Sequence, residues 1–315
     1  MKKNKKSSKN PQATANTQAA AKGAVHPSPL KAWIEAMRLR TLPVGAAPVV
    51  MGAGLALQAG HFQWLPALIC LLFAVTAQIG CNFANEYYDF KSGLDRKGRV
   101  GPRRGVTEGD IAPEAMHRAT AVCFLIAAII GCSLIYWGGW WMVPVGLFIF
   151  VGALSYSAGP FPLSRNGMGE IAVVVFFGLI PTSLTFYLQA GYYSLGDMLA
   201  GLAMGLLVSN LLIVNNYRDC EEDAAGGKIT TAVMFGRTTV LWAYLVNGLL
   251  AVALTSHLWM KAGMWTLVFP ALYLVGHVAV WSYIRRNDGP KLNPALGMTA
   301  MLVFFLAATF LIVNI

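Results

Sequence analysis

Residues 198–228 read MLAGLAMGLLVSNLLIVNNYRDCEEDAAGGK. The first twenty, 198–217, carry no charge, and about twenty apolar residues in a helix cross the hydrocarbon core of a bilayer. Gly201 and Gly205 stand four apart within them, so a neighbouring helix can approach closely in lipid, where apolar transfer alone drives no association. The run then ends in Asn215-Asn216-Tyr217-Arg218-Asp219-Cys220-Glu221-Glu222-Asp223. A membrane span that finishes in a row of carboxylates is the pattern from which the rest of the chain is read.

Composition agrees with that stretch. The chain has 315 residues, 56% of them hydrophobic and 12% charged, with a formal net charge of +10 and a mean hydropathy of +0.55. Soluble domains carry about 25% charged residues, so this chain has too little polar surface for a water-soluble globule and too much apolar content for disorder. Nine apolar stretches centre near residues 50, 73, 128, 150, 179, 207, 245, 274 and 304. They are continuous rather than alternating, which excludes a membrane β-barrel. The predicted class is all-α: a polytopic membrane protein of about nine transmembrane helices around a central cavity. Residues 1–30, rich in Lys, Asn, Gln, Ser and Ala without an apolar run, are expected to form a disordered basic tail rather than a signal peptide; residues 31–315 form the membrane domain. The five cysteines include no C-x-x-C pair and read as packing thiols.

With nine spans, alternate loops share a side, and 23 of the 24 Lys/Arg then fall on one side with the tail, only Lys261 lying opposite. The positive-inside rule makes that side cytoplasmic. The expected location is the bacterial inner membrane, multi-pass, with the N-terminus and the active site facing the cytoplasm. The basic charge is accounted for by topology and by the lipid bilayer, without nucleic acid. Opposite loops are short and aromatic, such as Trp137-Gly138-Gly139-Trp140-Trp141, and read as interfacial belts.

Seven of the fourteen acids sit in two short segments. One is 82–96, at the end of the second apolar run; the other is 215–223, at the end of the sixth. Asn82, Asn85, Glu86 and Asp89 are spaced i, i+3, i+4 and i+7, one helix face, and Asn216, Asp219 and Asp223 are spaced i, i+3 and i+7. Asp95 follows Gly93, which can turn the chain back. The recurrence suggests an internal pseudo-repeat whose halves face one another. Carboxylates stacked on one face need a cation between them, and hard oxygen ligands suit Mg²⁺, which bridges carboxylates to substrate phosphates. Arg96, Lys97, Arg99, Arg103 and Arg104 follow the first row; Arg218 and Lys228 lie in the second. Metal plus Arg/Lys at the mouth of an apolar helical bundle is what a lipid-tailed diphosphate requires. The competing readings are a solvated membrane face and a cation- or proton-coupled transporter.

In these residues the chain resembles the UbiA superfamily of intramembrane aromatic prenyltransferases, in its naphthoate branch. Asn85-Glu86-x-x-Asp89 with Gly93-x-Asp95, continuing as Val100-Gly101-Pro102-Arg103-Arg104, is similar to the first Asp-rich motif; Asn215-Asn216-x-Arg218-Asp219-x-x-x-Asp223-x-x-x-Gly227-Lys228-x-Thr230 is similar to the second. Arg38-Leu39-Arg40-Thr41-Leu42-Pro43 and Tyr156-Ser157-Ala158-Gly159-Pro160 through Gly167-Met168-Gly169-Glu170 match as well. Glu86 stands where the family usually has Asp, and Leu39 replaces a common Pro. The resemblance implies nine helices around a cavity with a lateral opening to lipid, and Mg²⁺-diphosphate bound by both motifs. It also implies a reaction in which an allylic polyprenyl diphosphate ionises and 1,4-dihydroxy-2-naphthoate attacks with loss of CO₂, giving demethylmenaquinone. Other acceptors of the fold are 4-hydroxybenzoate and homogentisate. On this reading Asp89, Asp219 and Tyr156 are catalytic; Asn82, Asn85, Arg103, Arg218 and Lys228 contact the diphosphate; and Asn85, Glu86, Asp89, Asp95, Asp219 and Asp223 are the metal ligands. His117 and His277 are expected to stand outside the chemistry. Chain length of the prenyl donor and oligomeric state are not encoded in any motif.

Overall fold

The computed structural model describes residues 27–98 and 101–315; most of the expected basic tail, and Arg99 and Val100 of the first motif, lie outside the described residues. Among these residues every extended element is helical, and nine principal helices follow one another: α1 Leu42–Gln58, α2 Trp64–Lys91, α3 Pro113–Ser133, α4 Met142–Ser157, α5 Gly169–Ala190, α6 Leu195–Ala225, α7 Arg237–Ala262, α8 Val268–Arg286 and α9 Asn293–Ile312. A short helix, Pro29–Met37, precedes α1. Each of the nine predicted centres falls inside one of these helices. Eight are long and apolar enough to span a membrane, counting the segments that flank α1, α3, α8 and α9; α4, with 16 residues, is shorter. Sixteen residues rise about 24 Å, less than the ~30 Å hydrocarbon core.

Large side chains fill the bundle's centre. Met51, Met204, Leu207, Trp259, Tyr273 and Phe310 are fully buried and belong to one cluster drawn from α1, α6, α7, α8 and α9. The helices approach closely where glycine permits. A Cβ on Gly178 of α5 would stand 2.0 Å from the Cα of Gly205 on α6. That contact sits in a π-helical turn, Val175–Leu179, that interrupts α5.

The bundle has two chemically distinct ends. At one, neutral amides tie helices together: Gln58 donates to the Leu258 carbonyl at 2.9 Å and to Asn314 at 3.1 Å, and Gln63 donates its backbone and side-chain N–H groups to the side-chain and backbone oxygens of Gln189, both at 3.0 Å. At the other end, where α2 and α6 finish, charged side chains and asparagines supply many of the ties. Buried polar groups between α6, α7, α8 and α9 are matched in pairs: Asn210 donates to the Tyr244 carbonyl, Asn247 to Asn210, and the Tyr244 hydroxyl meets Thr299 at 2.9 Å. His277 belongs to this set. Its Nε2 lies 3.0 Å from the Tyr244 carbonyl and its Nδ1 3.3 Å from the Tyr273 hydroxyl, an assignment that places the proton on Nε2. The imidazole is therefore an interhelical strut.

Candidate active site

The first acid row occupies the last three turns of α2. Its residues share a face, yet their partners divide them. Asn82 donates to the Met37 carbonyl at 3.0 Å and so holds the end of the leading helix. Glu86, 1% exposed, accepts from the Val106 amide at 3.0 Å and caps the short helix Gly105–Glu108. That cap positions the preceding residue, Arg104, which is 5% exposed. Its guanidinium lies 3.2 Å from the Asn85 carbonyl oxygen, 3.2 Å from Asp95, 3.6 Å from Asp89 and 3.9 Å from Glu86. One buried cation thus stands among three carboxylates and offsets their mutual repulsion. Arg103 points elsewhere and pairs with Asp110 at 2.6 Å.

The second row ends α6. Arg218 grips both oxygens of its neighbour Asp219, at 2.6 and 2.7 Å. The same guanidinium donates to Asn215 at 3.0 Å and to Asn293, at the start of α9, at 2.9 Å. Asn216 donates to Glu170 of α5 at 2.7 Å, and Glu170 also accepts from the Thr231 hydroxyl. Lys228 meets Asp223 at 3.3 Å.

The two rows meet. Leu94, just past the first row, packs with its Cδ2 3.6 Å from where a Cβ on Gly226 would stand, at the end of the second. The loop between α4 and α5 joins them a second time. Arg165 donates to Asp89 at 3.1 Å, to the Tyr88 carbonyl at 3.0 Å and to Ser92 at 2.6 Å. Its own backbone carbonyl accepts the Ile229 amide at 3.0 Å, and the Ile229 carbonyl accepts Gly167 at 2.8 Å, an isolated parallel bridge centred on Asn166 and Ile229. Side chain and main chain of one residue therefore connect α2 to the segment after α6. Tyr156, at the end of α4, is half-buried against the main core, its hydroxyl beside Gly169.

The donors available to a cation here are carboxylate oxygens and the Asn85 carboxamide, with no thiolate or imidazole among them, the set that a hard divalent ion prefers. Among the described residues no three acids, histidines or cysteines converge as a self-contained cage. Mg²⁺ typically takes only one or two protein carboxylates and completes its sphere with water and phosphate, so Asp89, Asp95, Asp219 and Asp223 fit it. An ionised carboxylate offers about four lone-pair positions, and pairing with arginine does not exhaust them. Arg104, Arg165 and Glu170 are the site residues that motif reading left without a role. Arg104 had stood only as one of the basic residues after the first row and in the motif's continuation, without a role of its own; Arg165 looked like one more loop cation.

Comparison with known proteins agrees with the geometry. Residues 46–308 match the model of the UbiA prenyltransferase family. A 1,4-dihydroxy-2-naphthoate octaprenyltransferase from Mycobacterium tuberculosis is 36% identical over 280 residues, covering 87% of this chain and 94% of the relative. A protein of the same name from Escherichia coli is 33% identical over 247 residues, 76% of this chain and 80% of the relative. Among solved structures, a UbiA homologue from Archaeoglobus fulgidus bound to GPP and Mg²⁺ superposes with a TM-score of 0.67 at 16% identity, covering 90% of this chain and 99% of that one. The family match over most of the chain and relatives at 33–36% identity agree with the nine-helix membrane bundle: the chain belongs to the UbiA prenyltransferase family.

Proposed function

We infer that this prenyltransferase transfers a polyprenyl group from an allylic polyprenyl diphosphate to 1,4-dihydroxy-2-naphthoate, with loss of CO₂ and diphosphate, giving demethylmenaquinone in its reduced, quinol form. The observation that supports it most is the junction of the two acid rows through Leu94, Gly226 and the Arg165 bridge, in a chain whose curated relatives at 33–36% identity bear the naphthoate octaprenyltransferase name. A diphosphate bound at that junction meets cations from both sides, Arg104 and Arg165 from the first half and Arg218 and Lys228 from the second.

Mg²⁺ held by Asp89, Asp95, Asp219 and Asp223 would neutralise the charge that grows on the departing diphosphate. The chain's own work is positional. Arg104 and Arg218 keep the acids aimed; Arg165 holds the two rows in register; Glu170 fixes Asn216 and the loop at Thr231. Tyr156, whose hydroxyl lies beside Gly169, would offer its ring face to the allylic cation as the C–O bond breaks. Preorganised charge of this kind costs no rearrangement when the bond breaks. The dihydroxylated ring then attacks carbon, and its carboxyl group leaves as CO₂.

The acids lie at helix ends rather than at the midplane of interrupted helices, and α5, which a π turn interrupts, carries no ionisable group in that turn, Val175–Leu179. This disfavours a coupled transporter. The positive-inside asymmetry supports a cytoplasmic location for the acid rows in a bacterial inner membrane. The test is an acceptor assay. Membranes containing the protein, given radiolabelled polyprenyl diphosphate, should prenylate 1,4-dihydroxy-2-naphthoate, and EDTA should abolish the reaction. Product from 4-hydroxybenzoate or homogentisate alone would overturn the acceptor assignment.

A further inference from the structure

On the side of α2 away from Asp89, a cleft of about 560 Å³ opens between the last turns of α2 and the first turns of α3; Tyr87, Phe90, Lys91, Glu114, His117 and Arg118 line it. Tyr87 and Lys91 each stand two residues from Asp89, about 200° around the helix. The cleft is therefore separate from the acid rows.

Its charges are unlike those of the site. Arg103, Arg104, Arg165, Arg218, Lys228 and Arg237 all pair with carboxylates. Among the described residues Lys91 and Arg118 do not, although Glu114 shares their cleft. Lys91 instead stands 5.9 Å from the centre of the Tyr87 ring, and that ring lies 4.7 Å from the imidazole of His117. Two cations without acid partners, one accepting carboxylate and an aromatic wall make a receptor for a phosphate that also carries a hydrogen donor. The α3 surface below indicates what bears that phosphate. From Arg118 the same face continues as Val122, Leu125 and Ile129, at i+4, i+7 and i+11, and these are 53%, 62% and 65% exposed. A soluble anion would have no use for this apolar strip; an acyl chain would lie along it.

We propose that the α2–α3 cleft is a specific phospholipid site. Its phosphodiester sits between Lys91 and Arg118, a headgroup hydroxyl or ammonium donates to Glu114, and an acyl chain follows Val122, Leu125 and Ile129. Basic clefts between membrane helices at a leaflet surface bind lipid headgroups by this combination of charge and apolar contact.

The experiment uses the purified full-length protein in detergent, titrated with phosphatidylglycerol or with phosphatidylcholine of the same acyl chains. Lipid retention is read by native mass spectrometry and stability by the thermal midpoint. Phosphatidylglycerol should be retained at least tenfold more strongly than phosphatidylcholine, whose headgroup lacks a donor, and should raise the midpoint. The double variant Lys91→Gln/Arg118→Gln should lose at least tenfold in that retention while keeping its lipid-free midpoint and prenyl transfer. Lys261→Gln, at the other end, should bind as the wild type does. The single variants Lys91→Gln and Arg118→Gln should each lose part of that retention and of the preference over phosphatidylcholine, and they carry the test should the double variant fail to fold. Equal retention of the two lipids, undiminished binding by the double variant, or displacement by millimolar glycerol 3-phosphate would each overturn the proposal.

Discussion

The carbonyl of Asp89 accepts the amide of Leu94 at 3.0 Å, and the carbonyl of Asp223 accepts the amide of Lys228 at 2.8 Å. Each acid is thus the third residue from the end of its helix, in the same terminating turn. The inner bonds match too, Gly93 to Phe90 and Gly227 to Ala224, at 3.0 and 3.1 Å. Gly93 and Gly227 both adopt the left-handed conformation, with φ of 70° and 74°, that this double-bonded cap requires. Superposing the caps aligns Asn82 with Asn216, Asn85 with Asp219 and Asp89 with Asp223. The pseudo-repeat expected from spacing is therefore a repeat of backbone geometry, and it identifies Asp89 and Asp223 as counterparts.

Asp219 is gripped at both oxygens by Arg218, so replacing it removes a charge and releases a buried guanidinium. Asp219→Asn keeps the shape. Turnover should fall by about 10²–10³, the scale of losing one preorganised electrostatic group, with an unchanged yield of folded protein in detergent. Turnover within threefold of the wild type would remove Asp219 from the diphosphate site.

Equivalence of the caps predicts matched phenotypes. Asp89→Asn and Asp223→Asn should each raise the Mg²⁺ concentration needed for half-maximal rate, by a similar factor of about ten, for each removes one charged ligand of the same kind. A metal titration of initial rates checks this. A shift in only one variant would assign the ion to a single row.

Arg165 connects the halves by its side chain, while its backbone bridge survives substitution. Arg165→Ala should lower turnover and reduce stability by about 1–3 kcal/mol, from the hydrogen bonds lost at Asp89 and the Tyr88 carbonyl. Arg165→Lys should restore stability better than turnover, because a lysine replaces the charge and not the forked geometry. Thermal unfolding and initial rates on the same preparations separate the two effects.

His277→Leu leaves the Tyr244 carbonyl and the Tyr273 hydroxyl without their partner in an apolar interior. A loss of about 1–3 kcal/mol in stability is expected, with the Mg²⁺ dependence of the surviving activity unaltered. An altered metal dependence would draw this histidine into the chemistry.

The orientation is checked by cysteine accessibility. In a variant freed of Cys70, Cys81, Cys123, Cys132 and Cys220, a probe that cannot cross the membrane should label Lys261→Cys in intact cells. It should reach Lys291→Cys only after permeabilisation. The reverse pattern would place the acid rows outside.

Much of this architecture is written along the chain. Hydropathy located all nine helices, because a backbone in lipid must satisfy its own hydrogen bonds within each segment. The i, i+3, i+7 spacing put each acid row on one face, and Gly93 and Gly227 stood where the caps needed them. Helix ends were less legible. The run around residue 150 gives only the 16-residue α4, since Gly159 and Pro160 stop it early, and the π turn in α5 follows from the meeting of Gly178 with Gly205 on another helix.

Local pattern, then, determined the class, the membrane helices and the acids that share a face at the ends of α2 and α6, because periodicity and hydropathy are properties of neighbouring residues. Tertiary structure decided which cations serve those acids: Arg104 rather than Arg103, and Arg165, which reaches Asp89 from 76 residues away. It also gave Asn82 and Glu86 to the leading helix and the Gly105–Glu108 turn. A carboxylate's partner is whichever donor helix packing delivers within about 3 Å, and no spacing along the chain encodes that delivery.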